Sequence, residues 1–135
     1  MEYKTNSPAE TEALAQTLAA TYQPPHVFCL TGDLGAGKTA FTRGLAKAYG
    51  FSGRVQSPTF TLMHVYEGDI PIHHFDLYRL GSDEELDDIG FDSYLGNGIT
   101  VIEWPDAFWH RIEKATIVRI RHLGGDQRCL TVEEQ

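Results

Sequence analysis

The residues best suited to chemistry lie at positions 32–39, where the sequence reads Gly-Asp-Leu-Gly-Ala-Gly-Lys-Thr. This segment matches the phosphate-binding pattern G-x-x-x-x-G-K-[ST] at every fixed position. Its glycines allow successive backbone amides to face a phosphate, its lysine reaches the β and γ phosphate oxygens, and its threonine hydroxyl can bind Mg²⁺. The pattern therefore predicts a nucleotide site whose binding residues are Asp33, Leu34, Gly35, Ala36, Gly37, Lys38 and Thr39.

A nucleotide site of this kind also needs a carboxylate at the end of a neighbouring strand, which holds Mg²⁺ directly or through water. Two extended runs end in such a residue. The apolar run 99–103 ends in Glu103, and the more polar run 72–76 ends in Asp76. Because ligands bind at the carboxyl ends of strands in α/β sheets, both carboxylates are candidates for the metal and γ-phosphate side of the site.

The tripeptide Ser57-Pro58-Thr59 follows the helix predicted after the loop, where related nucleotide hydrolases place a segment that senses the γ-phosphate. A threonine there could contact Mg²⁺ or water, which makes Thr59 a candidate catalytic residue. Ser-Pro also begins ordinary turns. From the residues alone, the sensor and the simple turn both stay open.

Other polar and aromatic residues near these motifs are interpreted as structural. His73 and His74 are adjacent on a predicted strand, so they point to opposite faces and cannot chelate one ion; we interpret them as core or surface residues. The acidic run 83–88 is interpreted as a solvated helix face, with a docking surface for a basic partner as the alternative. Trp104, next to Glu103, is interpreted as a core aromatic rather than part of a nucleotide crevice.

Local signals predict the elements that position these residues. Ser7 with Glu10, and Ser82 with Glu85, form capping boxes that begin helices. The order of buried strand, glycine loop and helix around 32–39 is the one that the phosphate-binding pattern requires. Predicted helices cover 8–20, 38–49 and 83–90, and predicted strands cover 26–31, 59–66, 70–77, 99–103, 116–120 and 129–132.

Length and charge narrow the class of protein. The chain has 135 residues, a hydrophobic fraction of 41% and a formal net charge of −8. These values predict one globular domain over residues 1–135. The negative charge opposes direct binding to nucleic-acid phosphates, so any nucleic-acid connection is predicted to run through a partner.

Targeting signals and cysteines indicate the compartment. No apolar run is long enough for a membrane span, and the first residues lack the basic and apolar regions of a signal peptide. We therefore expect a cytoplasmic protein. Cys29 and Cys129 match neither a metal-ligand spacing nor a disulfide framework, so both are predicted to be reduced and structural.

Four blocks together resemble the TsaE family: the loop at 32–39, Ser-Pro-Thr-Phe-Thr at 57–61, His-Phe-Asp-Leu-Tyr-Arg-Leu at 74–80 and Glu-Trp-Pro at 103–105. The resemblance spans most of the chain and implies an α/β fold, a mixed sheet flanked by helices like that of P-loop nucleotide hydrolases. It also implies a small bacterial ATPase that uses ATP and Mg²⁺. It implies a role in forming threonylcarbamoyladenosine (t6A) at position 37 of ANN-decoding tRNAs. Two homologous partner proteins, of the TsaD and TsaB types, would perform the transfer, and tRNA would be contacted indirectly through them.

The resemblance also implies roles for individual residues. Thr39 and Glu103 match the Mg²⁺ ligands of the family, which favours Glu103 over Asp76 for the metal. Asp76 and Thr59 match groups that sense the γ-phosphate or position water, and Lys38 matches the catalytic lysine of the loop.

Two further nucleotide contacts are implied outside the loop. Thr11, in the first helix, matches a threonine that approaches the nucleotide. Arg128 is the match for an arginine near the C-terminus that contacts it, although the Gly-Arg pair usual in the family is absent here.

Other functions fit parts of the pattern. A small P-loop kinase acting on a metabolite shares the first half, but the arginines are scattered rather than clustered in a lid. A GTP-dependent switch lacks support because no N-K-x-D motif occurs. A partner-binding module with a vestigial nucleotide site is the structural alternative.

Overall fold

A seven-stranded mixed sheet forms the centre of the computed structural model, which describes residues 1–33, 35–58 and 61–135. In these residues the strands are β1 (Glu2–Thr5), β2 (His26–Thr31), β3 (Met63–Glu67), β4 (Pro71–Asp76), β5 (Ile99–Glu103), β6 (Thr116–Gly124) and β7 (Gln127–Glu134). The helices are α1 (Pro8–Ala19), α2 (Lys38–Ala48), α3 (Asp83–Asp88) and α4 (Phe91–Leu95), with a 3-10 turn at Trp109–Arg111.

The order and direction of the strands determine which strand ends lie together. The order is β1-β7-β6-β2-β5-β4-β3. Strand β2 runs parallel to both of its neighbours, β5 and β6, and β4 runs parallel to β5. The hairpins β3/β4 and β6/β7 and the short strand β1 add antiparallel pairs on both sides. The carboxyl ends of β2, β4 and β5 therefore meet at the same edge.

The two faces of the sheet carry separate hydrophobic clusters because side chains alternate along each strand. Phe28 and Leu30 of β2 face the cluster formed with α1 and α2. Val27 and Cys29 face the other cluster, which includes residues of α3 and α4. Helices thus cover both faces of a mixed sheet, as the sequence predicts.

Both predicted capping boxes are present. The Ser7 hydroxyl accepts a hydrogen bond from the Glu10 backbone N–H at 3.1 Å, and the Glu10 carboxylate accepts one from the Asn6 N–H at 2.9 Å. The Ser82 hydroxyl accepts one from the Glu85 N–H at 3.2 Å. Each box satisfies N–H groups that a helix start leaves without intrahelical partners.

Some element boundaries differ from the prediction for local reasons. The strand predicted at 59–66 begins at Met63, because Leu62 has a φ of 69° and a left-handed residue cannot continue a strand. The helix predicted over 83–90 ends at Asp88, and Gly90, with a φ of 73°, begins α4, which the sequence analysis misses. It also misses β1, which is recognisable only through its pairing with β7.

The described residues contain no helix with the length and apolar character needed to cross a membrane. Cys29 and Cys129 are buried and free, as predicted. Burial raises the pKa of the Cys29 thiol to about 12, so the thiol stays protonated at neutral pH.

The closest approach of α1 and α2 depends on Gly44. A Cβ at this position would lie 2.2 Å from the Glu12 carbonyl oxygen and 2.7 Å from the Ala15 Cβ. These distances are far below van der Waals contact, so any side chain here would push the two helices apart.

Replacing Gly44 with alanine should therefore lower the free energy of unfolding by about 1–3 kcal/mol, the usual cost of overpacking. Gly96→Ala is the matched control, since nothing lies within 4 Å of the added Cβ, and we expect a change below about 0.5 kcal/mol. Urea unfolding measures both values. Equal effects of the two substitutions would contradict the helix-contact argument.

Candidate nucleotide-binding site

The segment 32–37 links the carboxyl end of β2 to the first residue of α2. Gly32 has a φ of 148°, and a Cβ there would lie 2.5 Å from the Ile120 carbonyl oxygen, so only glycine fits between the loop and β6. Gly37 caps α2 with a φ of 112°. Helix α2 thus begins directly at the loop, where its free N–H groups and its dipole favour an anion. The predicted binding residue Leu34 lies outside the described residues.

Lys38 places a charged group in a buried position. The residue is 5% exposed, and its Nζ has no hydrogen-bond partner among the described residues. Nζ lies 3.8 Å from Glu103 Oε1 and 4.1 Å from the centre of the Trp104 ring. Burial lowers the pKa of Lys38, and the nearby carboxylates, Glu103 first and Asp76 second, oppose that effect. The ammonium group therefore has donors to offer to an incoming anion.

Helix α2 supplies the hydroxyl group of Thr39 but none at the position that follows. The next position carries an alanine, Ala40. Its buried methyl group has no oxygen to offer to a metal ion. The buried Thr42 hydroxyl, further along the helix, donates to the Lys38 carbonyl oxygen at 2.9 Å. Thr39 therefore remains the hydroxyl candidate in the first turn.

Glu103 and Asp76 lie side by side because β4 and β5 pair these two residues. On its other side Glu103 pairs with Leu30 of β2, directly before the loop. Both carboxylates are buried, with exposed fractions of 3% and 4%. The Asp76 carboxylate accepts a hydrogen bond from the Tyr78 backbone N–H at 3.0 Å. The sheet thus brings both sequence candidates next to the loop lysine.

A fully buried histidine contacts the same carboxylate. His74 Nε2 lies 2.5 Å from Glu103 Oε2, and its Nδ1 lies 3.0 Å from the Tyr66 hydroxyl oxygen. That hydroxyl donates to the Gln56 carbonyl oxygen at 2.8 Å. Burial raises the pKa of Tyr66 to about 12, so the hydroxyl keeps its proton. His73 and His74 point to opposite faces of β4, as predicted, but the contact of His74 with Glu103 was not predicted from the sequence.

The signal that could have found His74 is its spacing. It lies two residues before Asp76 on the same strand and therefore on the same face. On the neighbouring strand, Glu103 lies on the same face of the sheet. A buried polar side chain such as that of His74 needs a hydrogen-bond partner, and Glu103 is within reach.

Trp104 lines the site rather than the core, so its interpretation as a core aromatic is wrong. Its φ of 57° turns the chain directly after β5. The half-buried ring lies under the Lys38 ammonium and 5.0 Å from the ring of the exposed Tyr78. A cation over an indole ring is attracted to the negative face of the π system, which offsets part of the cost of burying the Lys38 charge.

Arg128 of β7 holds the loop from the opposite side. Its Nε donates to the Ala36 carbonyl oxygen at 2.7 Å, and Nη2 donates to the Gly35 carbonyl oxygen at 3.0 Å. Nη1 donates to the carbonyl oxygens of Gly125 and Gln127, at 2.9 Å and 3.0 Å. All three guanidinium nitrogens of this residue thus bind backbone, and two of them fix the shape of the phosphate loop.

Thr11 is linked to Arg128 through β1. Its buried hydroxyl forms a 2.7 Å hydrogen bond with the Thr5 hydroxyl, and Thr5 pairs with Arg128 across β1 and β7. The two residues predicted outside the loop therefore belong to one region, on the β7 side of the sheet.

A small cavity lies between the loop and β6. It has a volume of about 350 Å³ and is lined by Gly32, Asp33, Ala36, Ile120, Arg121 and His122. A larger cavity of about 690 Å³ lies at the other end of β2, beside His26 and Arg111, far from the loop.

Two aspartates of the acidic run 83–88 form ion pairs with an arginine of the same chain. Arg111 forms ion pairs with Asp83 at 3.3 Å, Asp87 at 2.5 Å and Asp92 at 2.9 Å. These carboxylates are half or more exposed, which agrees with a solvated helix face. In the described part of the chain, no three or more His, Cys, Asp or Glu residues group as a metal site.

Residues 5–130 match the sequence family described as "Threonylcarbamoyl adenosine biosynthesis protein TsaE". The chain belongs to the TsaE family. A tRNA threonylcarbamoyladenosine biosynthesis protein TsaE from Bacillus subtilis (strain 168) is 40% identical over 135 aligned residues, which cover 97% of this chain and 84% of that relative. A TsaE protein from Treponema pallidum (strain Nichols) is 41% identical over 108 residues, which cover 78% of this chain and 80% of that relative.

A solved structure agrees with the TsaE assignment at the level of the fold. The crystal structure of YdiB from Bacillus subtilis has a TM-score of 0.80 with 34% sequence identity. The match covers 98% of this chain and 83% of that chain. The described sheet and helices are therefore those of a solved relative.

The predicted catalytic residues of this TsaE-family chain are only partly described. The structure brings together Lys38, Asp76 and Glu103, while Thr59 lies outside the described residues. Thr39 follows Lys38 in the first turn of α2 and is half-buried. The chemical roles of these residues stay predictions.

Replacing Lys38 with methionine keeps a long side chain but removes the charge, and it should make the nucleotide-free protein more stable at neutral pH. The reason is that burial lowers the pKa of Lys38 and so disfavours its charged form. The advantage should shrink as the pH rises from that lowered native value towards 10.5, because the unfolded lysine then binds more protons than the native one. Denaturant unfolding across this range measures it.

Lys114→Met, at an exposed lysine, is the control and should leave stability nearly unchanged. A Lys38→Met protein less stable than the natural chain would show that the ion pair with Glu103 outweighs the cost of burial.

Removal of the Arg128 side chain should loosen the phosphate loop. In Arg128→Ala, the two bonds to loop carbonyls are lost, and we expect amide hydrogen exchange in residues 35–37 to be about tenfold faster, as for a lost contribution of about 1.4 kcal/mol. Arg119→Ala, which removes an exposed pair with Glu133, should not change exchange there. Unchanged exchange in the Arg128 variant would contradict its role as a loop anchor.

Proposed function

We propose that this TsaE-family chain binds ATP with Mg²⁺ at residues 32–39 and hydrolyses it slowly, in support of t6A formation at position 37 of ANN-decoding tRNAs. It acts together with two homologous threonylcarbamoyl-transfer proteins of the TsaD and TsaB types. The chain is the ATPase and not the transferase, and it works in the cytoplasm, where these tRNAs are modified.

The proposal depends most on one observation, the burial of the Lys38 ammonium group. A buried ammonium group without a hydrogen-bond partner among the described residues is costly, and it favours a ligand that accepts hydrogen bonds and carries negative charge. The start of α2 and the curled loop present backbone N–H groups at the same place. A triphosphate satisfies all of these donors together.

The metal fits the residues at the γ-phosphate side. The Thr39 hydroxyl and the Glu103 carboxylate are oxygen donors of the type that Mg²⁺ prefers, and phosphate oxygens and water would complete the shell. Bound there, Mg²⁺ would neutralise charge that develops on the phosphate oxygens. Glu103 would hold the metal, while Asp76 and Thr59 would orient the attacking water.

The rest of the nucleotide would lie on the β6 and β7 side. With the γ-phosphate near Glu103 of β5, the other end of the ligand points towards the cavity between the loop and β6. Arg128 borders this region, and Thr11 is joined to it through Thr5. These positions support the prediction that both residues lie near the nucleotide.

The surroundings of two arginines agree with slow hydrolysis by the chain alone. An arginine that reaches the γ-phosphate accelerates nucleotide hydrolysis strongly. Arg128 anchors loop carbonyl oxygens instead, and Arg111 is paired with three aspartates. The partners are therefore proposed to complete the catalytic site, and the net charge of −8 agrees with tRNA being held by them rather than by this chain.

Glu103→Ala should leave the chain folded but lower its partner-stimulated ATP hydrolysis at least about 100-fold, because a metal ligand supplies several kcal/mol of charge stabilisation. The assay measures phosphate release by the purified chain, alone and with the two partner proteins. Glu84→Ala, at an exposed glutamate of α3, is the control and should keep full activity.

The other half of the test is the modification itself. Multiple rounds of t6A formation by the partners should stop when only this chain is left out, and undiminished formation would overturn the proposal. A rate of ATP hydrolysis that does not change with the partners but requires an added metabolite would instead support a small P-loop kinase.

A further inference from the structure

A chain of hydrogen bonds leads from Glu103 away from the nucleotide loop. It runs from Glu103 Oε2 to His74 Nε2 at 2.5 Å, from His74 Nδ1 to the Tyr66 hydroxyl at 3.0 Å, and from that hydroxyl to the Gln56 carbonyl oxygen at 2.8 Å. The side chains of Glu103, His74 and Tyr66 are all buried. Nothing in the proposed hydrolysis uses the last two of these residues.

The direction of these bonds is determined by the donors available. A tyrosine hydroxyl has one hydrogen, and a carbonyl oxygen can only accept, so Tyr66 donates to Gln56. The Tyr66 oxygen is then free to accept from the His74 Nδ1–H. The ring is thereby oriented with Nε2 towards Glu103 Oε2, and the 2.5 Å contact between these two atoms holds a proton that they share.

The far end of the chain is the segment that contains Ser57-Pro58-Thr59. Gln56 directly precedes this segment, so its carbonyl oxygen attaches the start of the segment to Tyr66. The end of the segment is attached as well, because the Leu62 carbonyl oxygen accepts a hydrogen bond from the Asp76 backbone N–H at 3.0 Å. Gln56 is therefore linked to Glu103 through two side chains, and Leu62 is linked to Asp76.

We propose that His74 is a positioning residue that fixes the Glu103 carboxylate for Mg²⁺ and couples it, through Tyr66, to Gln56 at the start of the segment 56–62. This inference rests on the proposed function, since it concerns the same metal and nucleotide. Partners that orient a metal-binding carboxylate commonly contribute 10- to 100-fold to metal affinity. A shift of the Glu103 carboxylate is transmitted to Gln56 because hydrogen bonds weaken when their distance or angle leaves the favourable range, so each buried partner follows the one before it.

His73 provides the structural contrast on the same strand. Its side chain points to the opposite face, packs 4.7 Å from the Tyr94 ring, and leaves Nδ1 without a hydrogen-bond partner among the described residues. A histidine kept only for packing resembles His73, whereas both ring nitrogens of His74 are engaged.

Two substitutions at His74 separate the two halves of the proposal. In His74→Gln, the amide nitrogen can take the place of Nε2 and donate to Glu103, but the contact with Tyr66 is lost. In His74→Asn, the shorter amide can take the place of Nδ1 and keep Tyr66, but Glu103 is left without its partner. His73→Gln is the matched control, and thermal unfolding shows which variants are folded.

The first measurement is ADP affinity by calorimetry, with Mg²⁺ and with EDTA. We expect the gain in affinity from Mg²⁺ to fall at least about tenfold in His74→Asn, with little change in His74→Gln and His73→Gln. Affinity in EDTA should be nearly the same in all of these proteins. Equal Mg²⁺ gains in the Asn variant and the natural chain would overturn the positioning role.

The second measurement is amide hydrogen exchange in residues 56–62. Mg²⁺ with ADP should slow this exchange in the natural chain and in His73→Gln. It should slow it much less in His74→Gln, His74→Asn and Tyr66→Phe, because each of these three substitutions breaks one hydrogen bond between Glu103 and Gln56. The Tyr66→Phe variant keeps the buried ring and tests the coupling even where a His74 variant does not fold. Protection that is the same with and without the tyrosine hydroxyl would overturn the coupling.

The natural chain separates this inference from the function on which it rests. An affinity for ADP that does not depend on Mg²⁺ in the unsubstituted protein would overturn the proposed function itself. A normal Mg²⁺ dependence that no His74 variant alters would overturn only the role of His74.

Discussion

The buried ammonium group of Lys38 is the constraint around which the edge of the sheet is organised. Moving such a charge out of water is expensive, and a single carboxylate at 3.8 Å without a hydrogen bond repays only part of that cost. The negative groups around it, Glu103 and Asp76 foremost, oppose the effect of burial, and the Trp104 ring contributes its negative face. Among the described residues, the Lys38 ammonium thus has no hydrogen-bond partner, at a place where an anion fits.

The order of the strands makes this arrangement possible. Because β2, β5 and β4 are adjacent and parallel, their carboxyl ends converge, and the carboxylates of Asp76 and Glu103 lie side by side near the lysine that begins α2. The antiparallel hairpins on either side then supply support from a distance. The β3/β4 hairpin provides His74 and Tyr66 behind Glu103, and the β6/β7 hairpin provides Arg128 behind the loop.

Features that depend on neighbours in the sequence could be predicted from it, and features that depend on distant contacts could not. The order of strand, glycine loop and helix around residues 32–39 and both capping boxes depend on residues within a few positions of one another, and each is found where the sequence predicts it. The contact of His74 with Glu103 joins residues 29 positions apart, and its hydrogen bonds exist only once β4 and β5 are paired.

Trp104 was harder still, because an aromatic residue after an apolar strand suits a core or a crevice equally well. Its left-handed backbone, with a φ of 57°, decides the direction of the ring, and no local pattern announces that turn. The short strand β1 is similar, since Glu2–Thr5 has no apolar alternation of its own and depends on β7 for its hydrogen bonds.

The contact between Arg128 and the phosphate loop has a consequence for the order of events during synthesis on the ribosome. The loop leaves the ribosome early, but its carbonyl oxygens bind a guanidinium group 92 and 93 residues further along the chain. Proteins are made from the N-terminus at a rate of about 5–20 residues per second. For several seconds, then, a nascent chain carries the complete loop sequence without its anchor, and the site is finished only when the β6/β7 hairpin joins the sheet.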